Sequence, residues 1–182
     1  MKEISLNILD IVENSVKANA KNILVSLKEE GDKLTLTVSD DGCGMKEDFL
    51  KSVIDPFCTS RTTRKVGMGI PLLKMAAEQT GGECNVTSFH IDDYPENHGT
   101  KTSATFFTNH IDCAPLGDMT QTVTTLIQCN PDIDFEFLHI KEEKEVSLKT
   151  KELREVLGDV PLNTYEVIKW IEDSLKEQYE VL

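Results

Sequence analysis

The chain of 182 residues carries 19 Lys and Arg against 32 Asp and Glu, a formal net charge of −13 at pH 7. Apolar residues make up 39% and charged residues 28%, which is typical of a folded globular protein rather than a disordered or fibrous one. The negative charge argues against nucleic acid and against an anionic membrane as partners. A small anionic ligand would therefore need a local basic cluster.

Hydrophobic periodicity predicts an α+β chain whose strands pair locally rather than through βαβ units. The N-terminal part is predicted to contain a helix over the first 20 residues, strands at 22–28 and 33–39, helices at 46–54 and 69–80, and strands at 83–91 and 101–108. Residues 55–68 are expected to form a loop. The C-terminal part is predicted to contain a helix at 118–128, strands at 133–140 and 144–149, and helices at 151–157 and 163–180.

Cysteine usage and hydropathy indicate the cellular compartment in which the protein works. Five cysteines at wide spacing, with no C-x-x-C pair, predict neither a disulfide framework nor a structural zinc site. The first residues lack an apolar run of signal-peptide length, and no stretch approaches 18 consecutive apolar residues. We therefore expect a cytoplasmic protein without a membrane span.

Charge is distributed unevenly along the chain. Residues 1–112 hold 12 basic and 17 acidic residues, and residues 113–182 hold 7 basic and 15 acidic residues. Segment 56–74 is the exception, because it contains four basic residues and no acid. This segment supplies the basic cluster that an anionic ligand would need.

Two glycine pairs mark places where a ligand could approach the backbone. Residues 40–44 (Asp-Asp-Gly-Cys-Gly) follow the second predicted strand, and the glycines permit a sharp turn beside an Asp that can accept a hydrogen bond from an exocyclic amine. Residues 67–69 (Gly-Met-Gly) open a helix after the basic segment, where free N–H groups favour phosphate. Taken singly, each pattern also occurs as an ordinary turn or helix cap.

The polar face of the first helix is a third candidate. Asn14 can offer its side-chain oxygen to a hard cation such as Mg²⁺. Lys17 lies about 60° and Asp10 about 40° from Asn14 on a helical wheel, so the three side chains can converge on one ligand. The alternative is a solvated helix face held by i,i+3 and i,i+4 contacts.

In order and spacing, these segments resemble the ATP-binding domain shared by DNA gyrase, the chaperone Hsp90, histidine kinases and the mismatch-repair protein MutL, known as the GHKL family. The resemblance spans about residues 3–110. The matching segments are the N box at 13–18, the first glycine box at 40–45, the kinase-type F box at 55–61, the second glycine box at 67–70 and the last glycine box at 99–100.

The resemblance implies a fold and a domain organisation. Residues 1–112 would form a Bergerat-type two-layer α/β sandwich, in which helices cover a mixed, mostly antiparallel sheet. Residues 113–182 would form a small acidic α+β extension. The extension resembles no known family, and we expect it to bind a partner, to form a homodimer or to act as a structural cap.

The resemblance also implies a role for each matched position. Asn14 would chelate the Mg²⁺ that bridges the phosphates of ATP, and Lys17 would contact a phosphate. Asp40 would bind the adenine amino group, and Thr100 would support Asp40. A short ATP lid over 56–68 would cover the phosphates. The remaining positions expected to bind the nucleotide are Gly42, Gly44, Met45, Thr59, Arg61, Lys65, Gly67, Met68 and Gly69.

The residue at position 10 does not decide whether the protein is a catalyst. ATP-hydrolysing relatives and anti-sigma serine kinases carry a Glu four residues before the N-box Asn as a general base. Asp10 occupies that position here, either as a shorter base or as a hydrogen-bonding member of the Mg²⁺–water shell. With no phosphoacceptor-histidine helices ahead of the domain, we expect a stand-alone ATPase or protein kinase that acts in trans on a protein partner. The alternative is a non-catalytic, ATP-gated regulatory binding module.

Overall fold

The structure is a computed structural model that describes residues 3–54 and 68–182. Within this part of the chain, six strands form one sheet in the order β3-β4-β2-β1-β5-β6. The strands are β1 (Asn22–Glu30), β2 (Lys33–Asp40), β3 (Glu83–Phe89), β4 (Gly99–Phe107), β5 (Asp134–Lys141) and β6 (Lys144–Lys149). The helices are α1 (Ile4–Lys17), α2 (Glu47–Ile54), α3 (Gly69–Gln79), α4 (Met119–Cys129), α5 (Thr150–Leu157) and α6 (Tyr165–Tyr179).

The observed elements confirm the predicted α+β class and the two-layer arrangement. Each predicted helix and strand is present, with ends that differ by only a few residues. Four of the five strand pairings are antiparallel, and the β1–β5 pairing is parallel, so the sheet is mixed and mostly antiparallel as predicted. The loop predicted at 55–68 lies outside the described residues, apart from its last residue.

Helix α1 packs on the sheet through the apolar stripe that its sequence predicts. Ile4, Ile8 and Ile11 recur at helical spacing and are almost fully buried. The first N–H groups of a helix lack partners within the helix. Here the N–H groups of Ile4 and Ser5 donate to the carbonyl oxygens of residues 115 and 116, both at 2.9 Å. The link between β4 and α4 therefore caps the helix that carries the N box.

The C-terminal extension continues the sheet and the core that residues 1–112 form. Strand β5 lies beside β1, and Phe137 on β5 pairs in register with Val25 on β1. Both side chains are 2% exposed, and they belong to one hydrophobic cluster together with Ile127 of α4 and Ile171 of α6. Residues of the extension are therefore buried against the strand at the centre of the sheet.

A buried polar cluster also joins the extension to β1. His139 of β5 is 2% exposed. Its Nε2 lies 2.9 Å from Glu29 Oε1, and its Nδ1 lies 2.9 Å from the Tyr179 hydroxyl. A carboxylate can only accept, so Nε2–H donates to Glu29 and the tyrosine O–H donates to Nδ1. Burial lowers the pKa of His139, and it outweighs the Glu29 carboxylate, which acts in the opposite direction.

We expect Phe137→Ala to lower the free energy of unfolding by about 3–5 kcal/mol, because it removes a large side chain from a closed core. Urea unfolding followed by circular dichroism would measure the change. Ile111→Ala is the control, since Ile111 is 94% exposed and its truncation should cost less than about 0.5 kcal/mol. Equal losses for the two variants would contradict the burial of β5 in the common core.

We expect acid to destabilise the fold through His139. Because its folded pKa is lowered, its contribution is complete above the unfolded value of about 6.5 and falls as the pH drops below it, by at most about 1.4 kcal/mol per pH unit. Urea unfolding at about pH 7.5 and about pH 5.5 should show a larger loss for the wild type than for His139→Gln. An identical loss in both proteins would show that His139 does not carry the effect.

Candidate functional site

A pocket of about 230 Å³ opens between α1, helix α2, the end of β2, and the starts of β4 and α3. Its walls are mostly apolar, with a few polar side chains at defined points, which is the usual composition of a small-molecule site. The apolar lining includes Ile11, Val38, Met45, Phe49, Val53 and Ile70. The polar lining includes Asn14, Ser15, Lys17, Asp40, Thr100 and Thr102.

Asp40 ends β2 and faces the pocket with an anchored carboxylate. The buried Ser15 hydroxyl on α1 donates to Asp40 Oδ2 at 2.6 Å, and the Gly42 N–H donates to Oδ1 at 2.9 Å. Each carboxylate oxygen can accept more than one hydrogen bond. The carboxylate is therefore fixed in place and still able to accept from a ligand.

Two glycines of the segment after β2 have no room for a side chain. A Cβ on Gly42 would lie 2.7 Å from the Ala18 Cβ. Gly44 has a φ of +68°, and a Cβ there would lie 1.9 Å from the Phe89 carbonyl oxygen. The chain can pass between α1 and β3 only with glycine at these two positions. This passage brings the backbone of the segment to the edge of the pocket.

Strands β3 and β4 support that segment through side-chain hydroxyls. Ser88 Oγ accepts from the Met45 N–H at 2.8 Å and lies 2.8 Å from Thr100 Oγ1. Thr100 pairs in register with Asp40 across β2 and β4. His98 Nδ1 lies 2.6 Å from the Gly42 carbonyl oxygen, and the ring nitrogen must be the donor because a carbonyl only accepts.

Sequence reasoning did not find Ser15, Ser88 and His98. Ser15 lies inside the N box, but a serine beside Asn14 gives no sign that it will be buried. Ser88 could have been found from strand register, since it lies opposite Thr100. His98 lies in the link between β3 and β4, where the sequence gives no sign of its partner. Its hydrogen bond to the Gly42 carbonyl oxygen shows that it supports the segment beside the pocket.

The polar face of α1 divides between the pocket and the solvent. Of the three side chains that the wheel brings to one face, Asn14 and Lys17 line the pocket. Lys17 Nζ also lies 2.7 Å from Glu13 Oε1 in an exposed ion pair. Asp10 is exposed and is absent from the pocket lining. Its Cβ lies next to Gly69, where an added Cβ would approach it to 3.0 Å, so Asp10 sits beside the start of α3.

Six of the predicted binding residues line one pocket, namely Asn14, Lys17, Asp40, Gly44, Met45 and Thr100. Gly42 and Gly69 contact lining elements without lining the pocket themselves. Met68 is 69% exposed. Thr59, Arg61, Lys65 and Gly67 lie outside the described residues, as do the F box and almost all of the predicted lid.

The described residues contain no group of three or more His, Cys, Asp or Glu side chains arranged to hold a metal ion. The Asn14 side chain is nevertheless available at the pocket wall. Mg²⁺ commonly keeps several waters and takes only one or two protein oxygens together with substrate phosphates. The Asn14 side chain therefore fits a magnesium ion that arrives with a phosphate ligand.

No helix in residues 3–54 or 68–182 combines the length and the apolar content that a membrane crossing requires.

Residues 2–112 match the family described as histidine kinase-, DNA gyrase B- and HSP90-like ATPase. The match covers more than half of the chain, together with the pocket and its supporting strands, and the chain belongs to this family.

Two curated relatives, both named as kinases, align with about half of the chain. An uncharacterised sensor-like histidine kinase of Rhizobium meliloti is 32% identical over 88 residues, which are 44% of this chain and 17% of that protein. Sporulation kinase E of Bacillus subtilis is 32% identical over 101 residues, which are 50% of this chain and 13% of that protein. The chain thus matches less than a fifth of the length of either kinase.

Among solved structures, the MutL ATPase domain of Aquifex aeolicus complexed with ADP aligns with a TM-score of 0.55 at 13% identity. The alignment covers 86% of this chain and 69% of that one. The N-terminal domain of a DNA repair protein aligns with a TM-score of 0.56 at 18% identity over 86% of this chain and 57% of that one. At these identities the likeness concerns the fold, and it extends beyond residue 112 into the C-terminal strands and helices.

We expect Gly44→Ala to destabilise the protein more than Gly31→Ala, by about 1–3 kcal/mol, because only at Gly44 does the new methyl group meet backbone. Gly31 is a matched control: its φ is +58°, and a Cβ there meets nothing within 4 Å. It should show only the strain of a left-handed alanine, about 1–2 kcal/mol. Urea unfolding of both variants is the measurement, and equal losses would contradict the tight passage at Gly44.

Proposed function

We propose that this pocket binds Mg²⁺ and ATP, and that the protein is an ATPase or a protein kinase that acts in trans on a separate protein. The anchored carboxylate of Asp40 is the observation that carries the proposal. It presents a carboxylate acceptor in the pocket wall, while Asn14 and Lys17 lie on the wall formed by α1. An adenine nucleotide offers the matching groups, an exocyclic amine at one end and phosphates at the other.

The adenine end is proposed to lie between Asp40 and the apolar wall. Asp40 would accept a hydrogen bond from the adenine amino group, and the bond would be strengthened by the negative charge of the acceptor. Met45 and Val38 would contact the flat faces of the base. Ser88 and Thr100 would hold the segment after β2 in place behind it.

The phosphate end is proposed to lie along Asn14 and Lys17. Asn14 would supply one oxygen to a magnesium ion, whose chemistry is to bridge the phosphates and neutralise their charge. Lys17 would have to exchange Glu13 for phosphate. That exchange costs little, because exposed ion pairs are worth about 0–1 kcal/mol. The basic side chains of Arg61 and Lys65 are proposed as further phosphate contacts on sequence grounds.

The proposal takes one of two forms, depending on the role of Asp10. As a general base it would take a proton from water or from a hydroxyl of the partner. As a member of a magnesium–water shell it would only order ligands, and the protein would then be an ATP-gated binding module. The second form is favoured by one observation, that Asp10 is exposed and lies outside the pocket lining. The first is supported by the kinase relatives, one of which is named a sporulation kinase.

We expect Asp40→Asn to weaken ATP binding about tenfold to hundredfold, because a charged hydrogen bond worth about 1.5–3 kcal/mol is lost. Isothermal titration calorimetry with ATP and Mg²⁺ would measure the affinity of both proteins. Glu83→Gln, an exposed acid at the start of β3, should bind like the wild type. Wild-type protein without measurable ATP affinity at millimolar nucleotide would overturn both forms of the proposal.

The two forms of the proposal predict different rates of ATP turnover. If Asp10 is the base, Asp10→Asn should still bind ATP and lose at least about 100-fold of its phosphate release or phosphotransfer. Glu13→Gln, the neighbouring acid on α1, should keep its turnover. Proteins captured with and without ATP would serve as candidate phosphoacceptors. Intact ATP binding with turnover equal to buffer in the wild type would select the gated module.

A further inference from the structure

A second groove, of about 480 Å³, lies between α5 and α6 in the C-terminal extension. Its lining is almost entirely apolar: Leu153, Val156, Leu157, Glu166, Val167 and Trp170. No lining residue is shared with the pocket at Asp40. The inference drawn from this groove therefore does not rest on nucleotide binding.

Two apolar residues of the groove remain exposed to solvent, although their apolar neighbours in the lining pack into the core. Leu153, Leu157 and Val167 are partly or fully buried and hold the two helices on the sheet. Val156 is 86% exposed and Trp170 is 55% exposed. Tryptophan is enriched among the residues that dominate binding energy at protein interfaces. An exposed tryptophan beside an exposed valine in an apolar groove thus indicates a surface that a partner covers.

The charges around the groove define the chemistry of that partner. Glu166, Asp173 and Glu177 are exposed and share one face of α6 with Trp170, at spacings of i, i+4, i+7 and i+11 from Glu166. Among the described residues, none of these three acids has an ion-pair partner. Lys169 and Lys176 lie on one flank of this stripe, and Lys176 pairs with Glu172. The groove is therefore apolar with an acidic border.

We propose that this groove binds an amphipathic helix of a partner protein, with aliphatic side chains on one face and Lys or Arg on its flanks. The aliphatic face would fill the space between Val156 and Trp170, and the basic flanks would pair with the acids of α6. The stripe from Glu166 to Glu177 extends about 16 Å along α6, which is the length of about three helical turns. A basic side chain could also stack on the Trp170 ring.

A second copy of the chain does not fit the same surface. It would place the acidic border of one groove against that of another, and each chain carries a net charge of −13. Like charges brought together at an interface oppose association. The expectation of a homodimer therefore gains no support from this surface, whereas a basic partner meets both its apolar and its charged features.

Trp170 makes the test direct, because it is the single tryptophan of the chain. The probe is a synthetic peptide of about 14 residues, with Leu at helical spacing on one face and Lys on the flanks. A second peptide carries Glu in place of each Lys. The full chain should give a saturable blue shift of Trp170 emission with the Lys peptide and none with the Glu peptide. Val156→Glu and Glu166→Lys should each weaken binding of the Lys peptide at least about tenfold.

Two variants control for folding and for bulk charge. Ile111→Glu places an acid on an exposed residue outside the groove, and Glu96→Lys changes the net charge as much as Glu166→Lys does. Both should bind the Lys peptide like the wild type. The proposal is overturned by an absent shift, by equal binding of both peptides or by equal weakening in Glu96→Lys and Glu166→Lys. Peptide-free dimers that bury Trp170 would also overturn it, in favour of a second copy.

Discussion

The hydrogen bond from the Ser15 hydroxyl to Asp40 is the contact around which the candidate site is built. It joins the inner face of α1 to the end of β2, and it orients the carboxylate that faces the pocket. Its geometry requires α1 to lie close to β2, which in turn leaves Gly42 no space beside Ala18. The N box and the first glycine box are therefore two sides of one packing arrangement, not two separate ligand contacts.

The same sheet supports the C-terminal extension. Strand β1 pairs with β2, which ends in Asp40, on one side and with β5 on the other. Glu29 at the end of β1 accepts from His139, and Tyr179 of α6 donates to the same ring. Arg154 of α5 pairs with Asp134 of β5 at 2.7 Å. The helices that form the apolar groove are thus fixed to strands that continue the sheet of the nucleotide-binding family.

Sequence patterns predicted the elements well because each short strand and helix carries its own periodicity. The alternating stretches at β1 and β2, and the isoleucine stripe of α1, determine which side is buried without any long-range information. The parallel pairing of β1 with β5 was not predicted, because strands more than 100 residues apart share no local signal. The contact of His139 with Glu29, which spans that pairing, was missed for the same reason, whereas Ser88 belongs to the neighbouring strands β3 and β4.

In the proposed complex, Asp40 accepts a hydrogen bond from the amino group of adenine. Inosine triphosphate is the ligand that isolates this bond, because it carries a carbonyl oxygen where ATP carries that amine. Calorimetry on the wild type should show inosine triphosphate binding at least about tenfold more weakly than ATP, since two acceptors would face each other at Asp40. The difference should largely disappear in Asp40→Asn. Equal affinity of the wild type for the two nucleotides would show that Asp40 does not accept from the adenine amine.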